Sequence, residues 1–300
     1  MLDKIQQTFS IYDLELLSDI KAQTIRIWEK RYNVMEPTRL NRNIRVYSIA
    51  DLQKLLNLSV LYKAGQKISR LAKLSSDELA EQAREQTQED LTSDYHVNAL
   101  LLSMYELDDT RFDHTYDQLI SQTSFEEVFV HTFLPLLRHI GLLWQTDRIK
   151  PAHEHFISNI IYQKIVLNTA QLPSPEHKSS RVNVLFLPYG EIHELGLLYL
   201  NYHLKKSGER TIYLGRDIPF DDLRSIKTQF RDINWVCHFV IDRTDEEKQE
   251  FLKEIDDLLS NSAASFQLIG RNWSEIKGPG KKLMLEIYNG IDEIVGQDKL

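Results

Sequence analysis

The chain has 300 residues, of which 42% are hydrophobic and 27% charged, and its formal net charge is −8. This length and composition predict about two folded domains and exclude a disordered or low-complexity protein. The lone Cys237 excludes an intrachain disulfide, apolar runs are too short for a membrane helix, and no apolar leader with a cleavage site begins the chain, so we expect a cytoplasmic protein.

The charge is unevenly distributed along the chain. Residues 1–75 contain 13 Lys and Arg against 7 Asp and Glu, a net charge of +6, so the remainder carries −14. Because the phosphate backbone attracts basic surfaces, only the N-terminal part suits nucleic acid. We therefore expect a basic head on an acidic body.

Two short helices are predicted at the start of this head. Ser10 is a suitable N-cap for a helix over Ile11–Leu17, and a second helix is predicted from about Lys21 to Tyr32. In the second helix the apolar spacing places Ile25, Trp28 and Tyr32 on the inner face. The opposite face is polar and basic, which is typical of a helix that reads the major groove, although an ordinary solvated face is the alternative.

A polar loop follows the second helix over Asn33–Val46. Its arginines suit backbone phosphates, and we expect Tyr47 to add a hydroxyl contact there. The next predicted helix, Ser48–Ala64, closes the core of the head, and Gly65 stands where a C-terminal cap is expected.

The order of these parts resembles the MerR-type winged helix-turn-helix over about 70 residues. The resemblance rests on the stretch Thr24–Tyr32, on Arg45-Val46-Tyr47 and on Asp51-Leu52. It implies binding to a double-stranded DNA operator. The expected DNA-binding residues are Gln23, Thr24, Arg26, Lys30, Arg39, Arg42, Arg45 and Tyr47.

Residues 76–172 are predicted to form a bundle of four or five helices. Breaks between amphipathic segments fall near Thr92-Ser93-Asp94, Leu107-Asp108-Asp109, Thr123-Ser124 and Trp144–Pro151. The triplet His153-Glu154-His155 does not predict a zinc site, because adjacent helical residues point about 100° apart. No His-Glu-x-x-His motif is completed there or at His193.

Strands alternate with helices over residues 180–300, which predicts a doubly wound parallel sheet of the Rossmann-like, flavodoxin-like kind. We expect helices to begin near Glu194, Phe220, Asp245 and Trp273. The predicted strands are Val182–Leu187, Thr211–Leu214, Trp235–Val240 and Phe266–Ile269, with a weaker one near Leu283–Ile287.

The loop after the first of these strands carries Glu191 and His193. Ligands of such sheets bind beyond the carboxyl ends of the strands, where this loop lies. Glycine-rich dinucleotide and triphosphate motifs are absent from the sequence, which removes the main support for those ligands. An imidazole with a carboxylate two residues before it is a candidate ligand for a metal-containing cofactor, although an ordinary polar loop is the alternative.

Here the sequence resembles the cobalamin-binding module, whose loop has the form [D/E]-x-H-x-x-G and is matched by Glu191–Gly196. The resemblance implies that His193 is the lower axial ligand of cobalt and that Glu191 fixes its tautomer. It also implies that Gly196 lets the loop pass close to the displaced nucleotide tail.

The bundle also resembles the helical cap of the light-sensing cobalamin repressors, through Trp144 and the pair Glu154-His155 at the spacing W-x9-E-H. The resemblance implies that these three residues cover the upper face of the cofactor, where an adenosyl group sits. Three departures are present. Gln145 replaces the histidine that follows the tryptophan in photosensing members, and Phe239 and Gly270-Arg271 stand where the module has small residues.

Together these patterns predict a multidomain chain with an α winged helix-turn-helix domain over 1–75, a cap-like bundle over 76–172 and a cobalamin-binding-type α/β domain over 180–300. The predicted function is a MerR-type regulator that senses cobalamin, with adenosylcobalamin as a light sensor. We expect cobalamin binding to be coupled to operator binding and to the oligomeric state, a dimer or tetramer. One alternative keeps the fold but responds to a protein partner or another small molecule. A corrinoid carrier is the other alternative.

Overall fold

A computed structural model of the chain describes residues 8–40, 44–87, 94–146, 148–173, 180–260, 264–273 and 285–295. The chain divides into two compact units, Met1–Ile157 and Ser158–Leu300. The predicted head and most of the predicted bundle thus form one unit, and the division falls inside a long helix. The finer division at residues 75 and 172 stays a prediction.

The first unit begins with the head, whose first helix starts at the predicted cap Ser10. The Ser10 hydroxyl accepts a hydrogen bond from the Asp13 N–H, and the Asp13 carboxylate accepts one from the Ser10 N–H. Ser48 and Asp51 repeat this capping box. The helices are α1 (Ile11–Ser18), α2 (Ala22–Tyr32), α3 (Ile49–Lys63) and α4 (Ile68–Leu71).

The predicted wing is a two-stranded antiparallel hairpin of β1 (Thr38–Leu40) and β2 (Ile44–Val46). Helix α2 precedes it and turns Ile25 and Trp28 into the core, as predicted, while Tyr32 is only half-buried. Gly65, at a φ of +86°, follows α3 in the left-handed region that a helix C-terminus favours.

The rest of the first unit is helical, and the breaks near Leu107 and Thr123 occur as predicted. The break near Thr92 lies outside the described residues. Pro135 cannot donate a backbone hydrogen bond, and a π-helical turn over Phe129–Phe133 precedes it. The helices are α5 (Ser76–Thr87), α6 (Asp94–Glu106), α7 (Asp109–Gln122), α8 (Phe125–Val128), α9 (Leu134–Gln145) and α10 (Pro151–Ala170).

Helix α3 joins the head to the bundle, because it packs against α5 and α6 as well as against α1. Its Leu55 and Leu58 are fully buried, and Lys63 at its end forms an ion pair of 2.8 Å with Asp94 of α6. The head therefore shares a hydrophobic core with the bundle. This explains why the sequence boundary near residue 75 is not a boundary between compact units.

The second unit contains a five-stranded parallel sheet with the strand order β4-β3-β5-β6-β7, which confirms the doubly wound prediction. Its central strands are buried along their whole length and mostly apolar, as is typical of strands covered on both faces. The elements are β3 (Val182–Pro188), α11 (Leu195–Lys206), β4 (Arg210–Ile218), α12 (Phe220–Lys227), β5 (Ile233–His238), α13 (Asp245–Leu259), β6 (Ser265–Ile269), β7 (Leu285–Tyr288) and α14 (Ile291–Val295).

All five strands have at least one boundary that differs from the prediction, and β4 and β5 differ most. Strand β4 is longer than the predicted Thr211–Leu214, because its polar end, which lacks an apolar pattern, still pairs with β3 through Ile218. Strand β5 ends at His238 rather than Val240, so Phe239 and Val240 begin a loop. The helix expected after Trp273 lies outside the described residues. Of the described helices, none combines the length and apolar character that a membrane crossing requires.

We predict that Gly196→Ala destabilises the second unit. A Cβ at Gly196 would overlap Ile291 Cδ1 and lie 2.7 Å from His238 Cε1, closer than packed atoms approach. The neighbouring side chains must shift, and we expect a loss of about 1–3 kcal/mol in the free energy of unfolding, measured by denaturant titration.

Gly141→Ala is the matched control. Gly141 lies in α9 with nothing within 4 Å of its added Cβ, so helix propensity alone predicts a gain of up to about 1 kcal/mol. Unchanged stability of Gly196→Ala would contradict the tight packing at α11.

Candidate functional site

The loop that joins β3 to α11 is held by contacts from neighbouring loops. Gly190, at a φ of +79°, adopts a conformation that glycine reaches without strain. Its N–H donates a hydrogen bond of 3.1 Å to Asp217 Oδ1, and its carbonyl accepts one of 3.1 Å from Arg243. The residues that follow it therefore start from a fixed turn.

Glu191 lies next in this loop and is fully buried. Its Oε1 accepts hydrogen bonds from the ring Nδ1 of His193 at 2.6 Å and from the His193 backbone N–H at 3.0 Å. Its Oε2 accepts a bond of 3.2 Å from the backbone N–H of Val240, which follows β5. The structure thus brings together the predicted pair and adds a third donor from another strand.

These bonds keep the Glu191 carboxylate ionised. Burial alone raises its pKa, but the hydrogen bonds from His193 and Val240 outweigh burial and lower the pKa to about 2. A lowered pKa stabilises the fold above pH 4.5, and this contribution is lost as the pH falls toward 2. At neutral pH the carboxylate is an acceptor only, so His193 Nδ1 carries the proton of this hydrogen bond and Nε2 is the ring nitrogen that Glu191 does not engage.

The His193 side chain is 40% exposed, in contrast to the buried Glu191. Large apolar residues at this edge of the sheet are exposed as well, which is unusual for a surface without a partner or ligand. These residues are Tyr189 (85%), Ile192 (59%), Val240 (50%) and Ile241 (54%).

Beneath the imidazole the domain is filled by its own side chains. Gly196, in the first turn of α11, faces the buried ring of His238 and the buried side chain of Ile291. The space that the resemblance assigns to a nucleotide tail beside Gly196 is therefore occupied in this structure. The expectation that Gly196 lets the loop pass close to such a tail is not met here.

The carboxyl ends of β5 and β6 are capped by an aromatic cluster. Phe239 stacks on Trp273 with ring centroids 4.9 Å apart, and the Arg243 guanidinium lies over Phe239 at 5.6 Å. Trp273 Nε1 would lie 2.8 Å from a Cβ added at Gly270. Arg271 is exposed, and the side chain that packs against Gly270 is that of Trp273.

Sequence reasoning missed three residues of this region, namely His238, Trp273 and Ile291. They come from β5, from the segment after β6 and from α14, and no motif links them. The only available signal was the apolar character of two of them, which is typical of any core residue.

The predicted cap residues lie at the end of α9 and the start of α10. The Trp144 side chain is 50% exposed, and His155 is 72% exposed with its Nε2 3.4 Å from a Glu154 carboxylate oxygen. Leu142, also on α9, is 49% exposed. A polar pair and a large aromatic residue therefore remain accessible on this part of the first unit.

Most of the expected DNA-binding residues lie on an accessible surface of the head. Helix α2 exposes Gln23, Arg26 and Lys30, and Thr24 is half-buried. Arg39 and Arg45 are exposed on the paired strands β1 and β2, where their Cα atoms face each other in register. Arg42 lies outside the described residues.

The expected phosphate contact of Tyr47 is wrong. Tyr47 is fully buried, and its hydroxyl donates a hydrogen bond of 2.5 Å to Glu29 Oε1 on α2. Burial and the neighbouring Glu29 raise the pKa of the phenol, which therefore stays protonated as a donor. Tyr47 ties the end of the wing to the recognition helix instead of contacting DNA.

Within the described ranges, no group of three or more His, Cys, Asp or Glu side chains could hold a metal ion. A metal carried by a macrocycle needs only one protein ligand. His193, held by Glu191 and partly exposed, is one donor of this kind.

Comparison with protein families identifies two segments of the chain. Residues 9–78 match the family described as "MerR HTH family regulatory protein", and residues 97–167 match "B12 binding domain". The first match covers the head through the start of α5. The second match covers the helices from α6 into α10, which precede the parallel sheet.

Two curated relatives extend over most of the chain. The HTH-type transcriptional repressor CarH of Myxococcus xanthus is 27% identical over 224 residues, which are 73% of this chain and 74% of the relative. The HTH-type transcriptional repressor CarA of the same organism is 28% identical over 264 residues, 87% of this chain and 85% of the relative.

A solved structure shares the fold. The monomethylamine corrinoid protein of Methanosarcina barkeri superposes with a TM-score of 0.53 at 11% sequence identity, covering 72% of this chain and 98% of its own. At this identity the likeness extends to the fold alone.

We predict that Tyr47→Phe destabilises the first unit by about 1–2 kcal/mol, because it removes a part-buried hydrogen bond to a carboxylate without changing the ring. Denaturant titration measures this loss. Tyr12→Phe is the matched control, since Tyr12 is 62% exposed and its change should leave stability unaltered. Equal effects of the two substitutions would contradict the assigned role of the Tyr47 hydroxyl.

Proposed function

We propose that this chain, which joins a MerR-type helix-turn-helix region to a B12-binding domain and is homologous to the repressors CarH and CarA, is a cobalamin-sensing transcriptional regulator. The observation that carries the cofactor assignment is the Glu191–His193 pair at the carboxyl end of β3. We assign the chain no enzymatic activity, and we place it in the cytoplasm, where its DNA target lies.

In this proposal α2 enters the major groove of an operator. Gln23, Arg26 and Lys30 share its exposed face, with Thr24 beside them, and can reach base edges and phosphates. Arg39 and Arg45 on the wing contact the backbone, with Arg42 assigned the same role from its position in the sequence. The bond between Tyr47 and Glu29 holds wing and helix in one orientation.

We further propose that the regulator acts as a homo-oligomer, a dimer or tetramer. One head presents one recognition helix, whereas paired helices on a palindromic operator double the contacts and fix the spacing of two half-sites. Cofactor binding would then control how the heads are paired.

The residues at the end of β3 include a side chain that could bind the cobalt of the cofactor. His193 Nε2 would bind the cobalt, while the ionised Glu191 holds the Nδ1 proton, fixes the tautomer and makes the ring a better donor. Bound cobalamin supplies an axial coordination position and, in its adenosyl form, a light-sensitive bond. We also assign Trp144, Glu154 and His155 to cofactor binding, supported by their exposure on α9 and α10.

A chain of contacts links those helices to the DNA-binding head. His153, beside Glu154, packs edge-on against Tyr105 of α6 with ring centroids 5.8 Å apart, and Tyr105 packs edge-on against Phe9 at 5.1 Å. Arg148, in the segment before α10, forms an ion pair with Asp13 of α1. A change at the start of α10 is therefore transmitted to the base of the head by direct packing.

We predict that purified protein changes the visible spectrum of adenosylcobalamin and that His193→Ala abolishes this change, because the variant lacks the axial donor. Glu191→Gln should weaken binding about 10–100-fold, since it loses the charge that orients the imidazole. Absorbance titration measures both effects.

His114→Ala is the matched control, because this exposed histidine lies on α7, outside the assigned site. It should bind as the wild type does. An unchanged spectrum with the wild-type protein would defeat the assignment of adenosylcobalamin as the cofactor.

We predict that Arg39→Ala weakens operator binding uniformly across sequences and reduces the slope of log K against log salt by about 1, as loss of one phosphate contact requires. Arg26→Ala should instead relax discrimination at one base position, at a cost of about 1–3 kcal/mol. Fluorescence anisotropy at several salt concentrations measures both. Lys253→Ala, an exposed cation on α13, is the control, and an equal effect there would contradict the assigned surface.

A further inference from the structure

The point where the strand order reverses lies between β3 and β5, since the chain crosses from β3 to β4 on one side and then to β5 on the other. Ligands of doubly wound sheets enter the crevice at this point. Here the crevice is bridged by protein, because Glu191 of the β3 loop accepts the backbone N–H of Val240 at 3.2 Å. The same carboxylate that orients His193 therefore joins the two sides of the entrance.

The space behind this bridge is filled by side chains that are themselves buried. His238 is 8% exposed and Ile291 is 5% exposed, and both lie against the open face of Gly196. Even a single added methyl group there would overlap Ile291 Cδ1. A group as large as a nucleotide cannot enter beside α11 without displacing these side chains.

The neighbouring route, over the ends of β5 and β6, is filled as well. Trp273 is 1% exposed and stacks on Phe239, and Phe251 packs edge-on against Phe239 at 5.0 Å. Opening this route would separate three packed aromatic rings and the Arg243 guanidinium that covers Phe239. Such close-packed interiors resist insertion.

In contrast to the filled interior, the surface above the crevice is accessible. His193 is 40% exposed, and the loops after β3 and β5 also expose the apolar residues Tyr189, Ile192, Val240 and Ile241. This surface can receive a flat macrocycle from outside, with the imidazole as its axial donor. The described side chains thus leave an accessible surface for the macrocycle. They leave no space for a nucleotide attached to its lower face.

We propose that this chain selects corrinoids that lack the lower nucleotide, the cobinamide class, over cobalamin itself. In cobalamin the appended base occupies the lower cobalt position, and His193 must displace it toward Gly196 and Gly270, where the described side chains of His238, Ile291 and Trp273 already lie. In cobinamide a water molecule occupies that position, so His193 Nε2 replaces the water and nothing has to enter the crevice. This inference rests on the proposed function, because it assumes corrinoid binding through His193.

The test compares two probes, diaquocobinamide and aquacobalamin, on the full-length wild-type protein by absorbance titration and by calorimetry. We expect a lower dissociation constant for diaquocobinamide, with His193→Ala weakening its binding at least 10-fold. An equal or lower dissociation constant for aquacobalamin overturns the selectivity and leaves the proposed function intact. If the protein binds none of diaquocobinamide, aquacobalamin and adenosylcobalamin, both the proposed function and this inference are wrong.

A second arm tests which side chains impose the selectivity. Ile291→Ala removes atoms that cover Gly196, and we expect it to lower the dissociation constant for aquacobalamin at least 3-fold and leave that for diaquocobinamide unchanged. Ile255→Ala is the matched control, a buried isoleucine of α13 in the core of the same unit. Suppose that both variants keep the wild-type circular dichroism spectrum and that Ile291→Ala changes neither dissociation constant. The proposal that Ile291, packed on Gly196, excludes the nucleotide is then overturned.

Discussion

The candidate cofactor site depends on one buried carboxylate. A buried charge is costly unless hydrogen bonds replace its hydration, and Glu191 receives two from His193 and one from Val240. These bonds hold the carboxylate ionised and fix the ring tautomer. They also join the loops after β3 and β5 across the ligand crevice. The interaction that prepares His193 as a donor is thus part of what closes the space beneath it.

The first unit couples recognition to the helical region through a shared core. Helix α3 packs against both head and bundle, and the Phe9–Tyr105–His153 series continues from the head toward the start of α10. Within the head, the Tyr47–Glu29 bond replaces a DNA contact by an internal one. The basic surface is therefore packed directly against the helices that lead to the start of α10.

Local patterns in the sequence predicted the elements well where the determining contacts are local. Ser10 and Ser48 form capping boxes with residues three positions away, so their helices begin where predicted. The apolar spacing of Ile25 and Trp28 predicted the inner face of α2 for the same reason. Prediction was poorer for the polar end of β4, which has no apolar pattern and is a strand only because it pairs with β3.

For the candidate site, the sequence by itself determined the donor pair, because Glu191 and His193 are two positions apart and the strand before them is strongly apolar. It also determined the charge asymmetry that marks residues 1–75 as the basic head. Only the tertiary structure decided that Tyr47 is buried and that Ile291, His238 and Trp273 fill the space next to Gly196 and Gly270. Those contacts join segments far apart in the chain, and side chains of ordinary apolar type acquire their role only from the neighbours that folding brings to them.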